Sequence, residues 1–192
     1  MGKVRAARTP AGGGEALLRG GEMPRRGGEA PARGGHRYEV VDGKLLVTGA
    51  QPSVHHAAVV GLLVRLKQAC PPELLVTVGS LDFRPAQGVL FRPDVMVCRR
   101  DDAGPKFVVR PPLLAVEVVS PSTRVTDVVL KRTRYEQYGI RSYWLLDPDN
   151  QELTVLHLTN NTYTCHTVVQ SEEPFVSDFP FPLRFSPAEL LS

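Results

Sequence analysis

Two acidic residues stand inside apolar runs of this 192-residue chain, and a lysine follows them. Asp94 lies in Phe91-Arg92-Pro93-Asp94-Val95-Met96-Val97, and Glu117 lies in Leu113-Leu114-Ala115-Val116-Glu117-Val118-Val119. Both runs are rich in β-branched residues and read as strands. A carboxylate in a buried strand is costly unless it is paired or binds a cation. Two of them, with Lys131 on the following helix, point to a divalent-metal site that acts on phosphate. Mg²⁺ favours a few carboxylates and keeps several waters. Bound near a phosphodiester, it stabilises the developing charge and makes an attacking water more acidic. A lysine beside it could orient that water or stabilise the transition state.

Further residues gather around this trio in the sequence. Asp127 precedes Lys131 by one helical turn and could hold its ammonium, while Tyr135 follows by one turn and could contact phosphate or hold Lys131. Glu39 is a candidate third acid. His55 and His56 open the first helix, where one of them could face the site. Ser120, Ser122 and Thr123 follow the Glu117 strand and could contact phosphate. Each residue also has a plainer reading: a turn acid for Asp94, a solvated helix lysine for Lys131, core for Tyr135, a strand glutamate for Glu39 and helix capping for Ser120 to Thr123. Glu117, enclosed by apolar neighbours on both sides, is the residue that a plain reading explains least well.

The elements that must position these groups follow from the pattern. Residues 38–41 and 44–47 form a hairpin across Asp42-Gly43. A helix opens at Pro52-Ser53, with Ser53 as its cap, and runs to about Gln68 with Val59, Leu62, Leu63 and Leu66 on its apolar face. Residues 74–78, 81–84 and 95–98 are candidate strands, and 101–106 is a polar loop. Residues 113–119 are apolar on both faces, which predicts a central strand. A second helix starts at Thr123 or Thr126 and ends at Gly139. Residues 142–146 form another strand, Trp144 belongs to the core, and 152–158 pairs with 163–169 across Asn160-Asn161. The order predicts an α/β domain with a mixed central sheet flanked by few helices.

Residues 1–35 differ from the rest. They are rich in Gly, Ala, Pro and Arg, lack aromatics, and repeat Gly-Gly-Glu every seven residues at 13–15, 20–22 and 27–29. Paired glycines in each heptad oppose a coiled coil, so this stretch is expected to be a disordered, Gly/Arg-rich extension, with the folded domain spanning 36–192. The net charge of +3 is placed unevenly: seven basic and three acidic residues give the extension +4, and the sixteen basic and seventeen acidic residues that remain give the domain −1. The folded part is therefore no general electrostatic sponge for nucleic acid, and binding would need a local patch or help from the extension. Cys70, Cys98 and Cys165 are isolated, without metal-ligand spacing, as expected of reduced thiols in a cytoplasmic protein. No apolar stretch approaches the roughly 20 residues that span a bilayer, and the N-terminus has no long apolar signal region.

Taken in order, these motifs resemble one family. Tyr38-Glu39-Val40-Val41-Asp42-Gly43-Lys44-Leu45, Pro52-Ser53-Val54-His55-His56, Pro93-Asp94-Val95, Val116-Glu117-Val118-Val119-Ser120-Pro121-Ser122-Thr123, Asp127 with Lys131 and Tyr135, and Tyr143-Trp144-Leu145-Leu146-Asp147-Pro148 resemble the Uma-two-type family of proposed restriction endonucleases, in the PD-(D/E)xK nuclease superfamily. The resemblance covers roughly residues 36–190. It implies a restriction-endonuclease-like core with a mixed central sheet, flanking helices and added β-hairpins. It further implies that Asp94 and Glu117 are Mg²⁺ ligands, with Mn²⁺ as a substitute, and that the carbonyl of Val118 or Val119 is a further ligand. Glu39 and His56 match acidic and histidine positions that recur in the family. The superfamily's usual lysine stands two residues after the glutamate, where this chain has Val119, so Lys131 must take its place.

The expected activity is metal-dependent endonucleolytic hydrolysis of phosphodiester bonds in nucleic acid, with DNA as the first choice of substrate. A homodimer would suit cutting of both strands, although the sequence carries no interface signature. The competing expectation is a non-catalytic module that binds nucleic acid or protein and retains the fold.

Overall fold

The computed structural model describes residues 36–191. The expected extension at 1–35 lies outside the described residues, as does Ser192. The framework is a six-stranded sheet in the order β10-β9-β8-β7-β5-β3. Its strands are β3 (Leu74–Val78), β5 (Val95–Arg99), β7 (Leu114–Val118), β8 (Ser142–Asp147), β9 (Glu152–Thr159) and β10 (Thr162–Gln170). Only β7 and β8 pair in parallel, which makes the sheet mixed. β7 lies between β5 and β8 with all five residues buried, as a run apolar on both faces requires.

Alternation along β7 divides the core in two. Leu114, Val116 and Val118 face one layer with Ala58, Leu62 and Leu66 of α1 (Ser53–Ala69), together with Trp144, Phe175 and Phe185. Ala115 and Val119 face the other, with Phe83, Phe91, Tyr135, Ile140, Tyr143 and Tyr163. Edge-to-face contacts between Phe91, Tyr135 and Tyr143, with ring centroids 5.1–5.2 Å apart, knit this second layer. Glu117 shares the parity of Ala115 and Val119, so its carboxylate enters the aromatic layer.

Three small sheets complete the fold. β1 (Arg37–Val41) and β2 (Lys44–Thr48) form a hairpin whose turn residues Asp42 and Gly43 both have positive φ, 52° and 73°. That geometry is what an Asp-Gly turn supplies. Asn160 and Asn161, at 52° and 60°, turn the β9–β10 hairpin in the same way. β4 (Asp82–Phe83) pairs in parallel with β6 (Phe107–Val108), and β11 (Phe175–Ser177) pairs with β12 (Leu183–Phe185). The strand expected at 81–84 is therefore reduced to Asp82 and Phe83, although the Arg84 amide still donates to the Val108 carbonyl at 2.8 Å.

Both helices differ from their expected form. Pro52 occupies the cap position of α1 and no side chain caps it; Ser53 is already helical, so its hydroxyl is not the expected cap. The second helix starts at Arg124 and passes through a π-helical segment, Thr126–Lys131, that continues directly into α2 (Arg132–Gln137). The wider turn leaves Val125 and Val129 exposed and directs Asp127 and Lys131 inward.

α1 packs against the C-terminal turn through Gly61. A Cβ built on Gly61 would lie 2.3 Å from the carbonyl oxygen of Leu190. Helix propensity alone favours Gly61→Ala by about 1 kcal/mol. The clash with backbone reverses the sign, and overpacking of this kind costs about 1–3 kcal/mol. Gly61→Ala is expected to lower the midpoint of thermal unfolding; a rise would show that the two segments do not pack this closely.

Candidate active site

The sheet register brings the two strand acids together. Val95 pairs with Val116 in the antiparallel β5–β7 ladder, so Asp94 and Glu117, one residue further on each strand, stand across from one another. Asp94 is 6% and Glu117 1% exposed. Like charges directly opposite on a ladder destabilise it, so the surroundings must supply opposite charge and donors.

Each carboxylate oxygen has its own partners. Asp94 Oδ2 accepts from the Val118 amide at 2.8 Å and lies 3.3 Å from His55 Nε2. Asp94 Oδ1 accepts from Arg37 Nη1, and Arg37 Nη2 reaches Glu117 Oε2 at 3.5 Å. Glu117 Oε1 accepts from the Tyr135 hydroxyl at 2.7 Å and from Lys131 Nζ at 3.1 Å. Lys131 also meets Glu39 Oε2 at 3.0 Å and Asp127 Oδ1 at 3.2 Å. The other oxygen of Glu39 accepts from the Arg92 amide at 2.7 Å, which ties the β1–β2 hairpin to the segment before Asp94. Arg37, Glu39, His55, Asp94, Glu117, Val118, Asp127 and Lys131, with Thr48, Gln51, Thr123 and Thr126, line a cavity of about 10 Å³, roughly the space of one water.

The trio of Asp94, Glu117 and Lys131 thus converges, with Glu39, Asp127 and Val118 beside it. Three other expected placements change. Tyr135 is fully buried and holds Glu117 rather than Lys131 or phosphate. His56 is exposed on the outer face of α1, and His55, one residue earlier, is the histidine at the site; at 100° per residue adjacent helical positions cannot share a direction. Ser120 is buried, but its hydroxyl bonds those of Ser122 and Thr123 and does not reach the acids. Arg37 is the residue that the sequence reading missed. Its signal was its spacing from Glu39, since residues two apart on a strand share a face.

The charges do not balance. Four carboxylates (Glu39, Asp94, Glu117, Asp127) face two permanent cations, Arg37 and Lys131. Burial works to raise Asp94, but Arg37 and the hydrogen bond from His55 outweigh it and hold Asp94 well below the usual carboxylate range. Glu117 behaves in the opposite way: burial, with Asp94 and Asp127 nearby, pushes it up to about 8 despite Lys131 and Arg37. Burial also raises Asp127. Lys131 is raised, because Glu117, Glu39 and Asp127 outweigh the cost of its burial, so it stays charged. Burial and Glu117 raise Tyr135 far above 10, so it keeps its proton and acts as a donor.

This donor set fits a divalent cation. Mg²⁺ is commonly held by one or two carboxylates and waters. Two carboxylates converge on one cation here, and with all four acids ionised the cluster carries two negative charges more than Arg37 and Lys131 neutralise. Among the described residues, no group of three His, Cys, Asp or Glu side chains converges as a ready-made metal cage. The fit is therefore to a hydrated ion on two carboxylates rather than to a closed site.

The raised Glu117 predicts a pH dependence of stability without added metal. An acid that binds its proton more tightly when folded stabilises the protein most below its unfolded value, near 4.5, and loses that contribution as pH rises through about 8. In EDTA the thermal midpoint is expected to fall between pH 5 and pH 8, with a loss on the order of a few kcal/mol. Glu117→Gln should flatten that slope, and an unchanged slope would place the titration elsewhere.

Comparison with known proteins bears on the same region. A family model described as "Putative restriction endonuclease" (Uma2) matches residues 28–188. Among solved structures, a protein from Anabaena variabilis described as a putative nuclease belonging to DUF820 superposes with a TM-score of 0.65 at 18% identity. The superposition covers 80% of this chain and 89% of that one, and at this identity the likeness is one of fold. No curated protein matches the chain.

Proposed function

The chain belongs to the Uma2 family of restriction-endonuclease-like proteins, and from that premise we propose that it is a metal-dependent endonuclease that hydrolyses phosphodiester bonds, with DNA as its substrate. Family membership supports a nuclease-like hydrolase acting on nucleic acid. The observation that carries the finer reading is the pair of buried carboxylates, Asp94 and Glu117, converging on one cation with the Lys131 ammonium 3.1 Å from Glu117. Three free cysteines accord with a cytoplasmic setting.

Asp94 and Glu117 would hold Mg²⁺, or Mn²⁺ in its place, with the Val118 carbonyl as a further donor. When bound, the ion supplies charge stabilisation at the phosphate and a more acidic water. The chain's own residues do the positioning. Tyr135 and Lys131 fix Oε1 of Glu117, while the Val118 amide and His55 fix Oδ2 of Asp94, so both carboxylates are locked before substrate arrives. Lys131, charged and held by three acids, is suited to stabilising negative charge on phosphate and not to removing a proton. Its ammonium reaches Glu117 from the π-helical segment, which supplies what Val119 lacks.

The test is cleavage of plasmid, single-stranded DNA and RNA in Mg²⁺, Mn²⁺ or EDTA by wild type, Asp94→Asn and Lys131→Met. Plasmid cleavage that needs metal should vanish in Asp94→Asn and fall about 10²–10³-fold in Lys131→Met. RNA cleavage alone would change the substrate, and metal-independent binding without cleavage by folded protein would favour a non-catalytic module.

A further inference from the structure

The carboxylate pair offers a cation only two free oxygens, and Arg37 holds both. Asp94 Oδ2 is occupied by the Val118 amide and His55, and Glu117 Oε1 by Tyr135 and Lys131. Asp94 Oδ1 and Glu117 Oε2 remain, and these are the atoms that the Arg37 guanidinium bridges. A guanidinium matches carboxylate geometry through paired N–H donors. Here the match is incomplete, since Nη2 is 3.5 Å from Glu117 and the buried Nε has no hydrogen-bond partner. Arg37 is also less enclosed than its partners, with 21% of its side chain exposed against 6% and 1%. It stands in β1, whose hairpin is separate from the six-stranded sheet.

Resting on the two-carboxylate metal site argued above, we propose that Arg37 is the protein's own substitute for the divalent ion, and that the two compete for Asp94 Oδ1 and Glu117 Oε2. Without the ion, Arg37 neutralises the facing acids and keeps the strands together. With the ion, the guanidinium must leave the pair, because one positive group occupies the point where the two oxygens converge. The ion's apparent affinity is then reduced by the fraction of molecules in which Arg37 is in place. Lys131 is no such competitor, since it lies on the opposite oxygen of Glu117.

Calorimetric titration of Mn²⁺ into wild type, Arg37→Gln, Arg37→Lys and Asp94→Asn tests this without any cleavage assay. Arg37→Gln is expected to bind at least about tenfold more tightly than wild type, Arg37→Lys to fall between, and Asp94→Asn to lose binding. In EDTA, Arg37→Gln should melt below wild type and recover more than wild type does on adding Mn²⁺. Equal or weaker binding by Arg37→Gln, with wild type still binding, would overturn the competition and leave the metal site standing. No binding by any folded variant would overturn the metal site and the competition with it. Nitrogen NMR of the arginine side chains in wild type serves even if Arg37→Gln fails to fold. The Arg37 Nε signal, assigned by its loss in Arg37→Lys, should shift at saturating Mg²⁺, and an unmoved signal would refute the exchange.

Discussion

Asp94 and Glu117 face each other across adjacent strands of a buried sheet, and the rest of the molecule is arranged around that repulsion. Two unit charges about 4 Å apart interact by about 4 kcal/mol at the effective dielectric typical of proteins, and taking each out of water costs several kcal/mol more. Every element near the pair supplies something against this. β1 gives Arg37, α1 gives His55, the backbone of β7 gives the Val118 amide, the π-helical segment gives Lys131 and α2 gives Tyr135. Glu39 and Asp127 then place Lys131, and the Arg92 amide places Glu39. The compensation is incomplete in charge, although each oxygen of the two carboxylates faces a donor, a combination suited to receiving a further cation.

The apolar framework makes such a cluster tolerable. α1 and the small β11–β12 sheet cover one face of the central sheet, and aromatic rings cover the other. The acids sit where β5 begins and β7 ends, at the margin of the aromatic layer, so the strands need not bury charge along their length. The connection from β7 to its parallel neighbour β8 passes over this margin, and it carries Asp127, Lys131 and Tyr135. A parallel pair needs such a crossover; this chain uses it to deliver the ammonium that strand position 119 lacks. Val119 remains in the aromatic core, where a valine packs without a charge to satisfy.

Much of the fold was legible in the sequence because it depends on local chemistry. Asp42-Gly43 and Asn160-Asn161 form the turns their residue types favour, since each supplies positive φ at low cost. The run 113–119 is a central strand because nothing polar but Glu117 interrupts it. The helix through Asp127, Lys131 and Tyr135 was legible as a helix, but its π-helical turn was not. One extra residue per turn leaves no mark in a pattern whose spacing stays close to four. The Leu81–Arg84 strand shortened because alternation cannot report a hydrogen-bonding partner.

The sequence by itself determined which residues are expensive to bury. An acid among β-branched residues needs a cation wherever the chain goes, and that requirement points to Asp94 and Glu117, with Lys131 on the following helix to meet it. Only the tertiary structure decided which cation meets which oxygen. Arg37 is 57 residues from Asp94 and 80 from Glu117, and neither periodicity nor spacing encodes a contact over such a span. The choice of His55 over His56 depends on how α1 is rotated about its axis, which is fixed by the packing of Ala58, Leu62 and Leu66 against the sheet. Tyr135 became the donor to Glu117, instead of a partner for Lys131, because its ring is fixed between Phe91 and Tyr143. Composition and pattern set the demand for charge compensation, and long-range packing chose the groups that meet it.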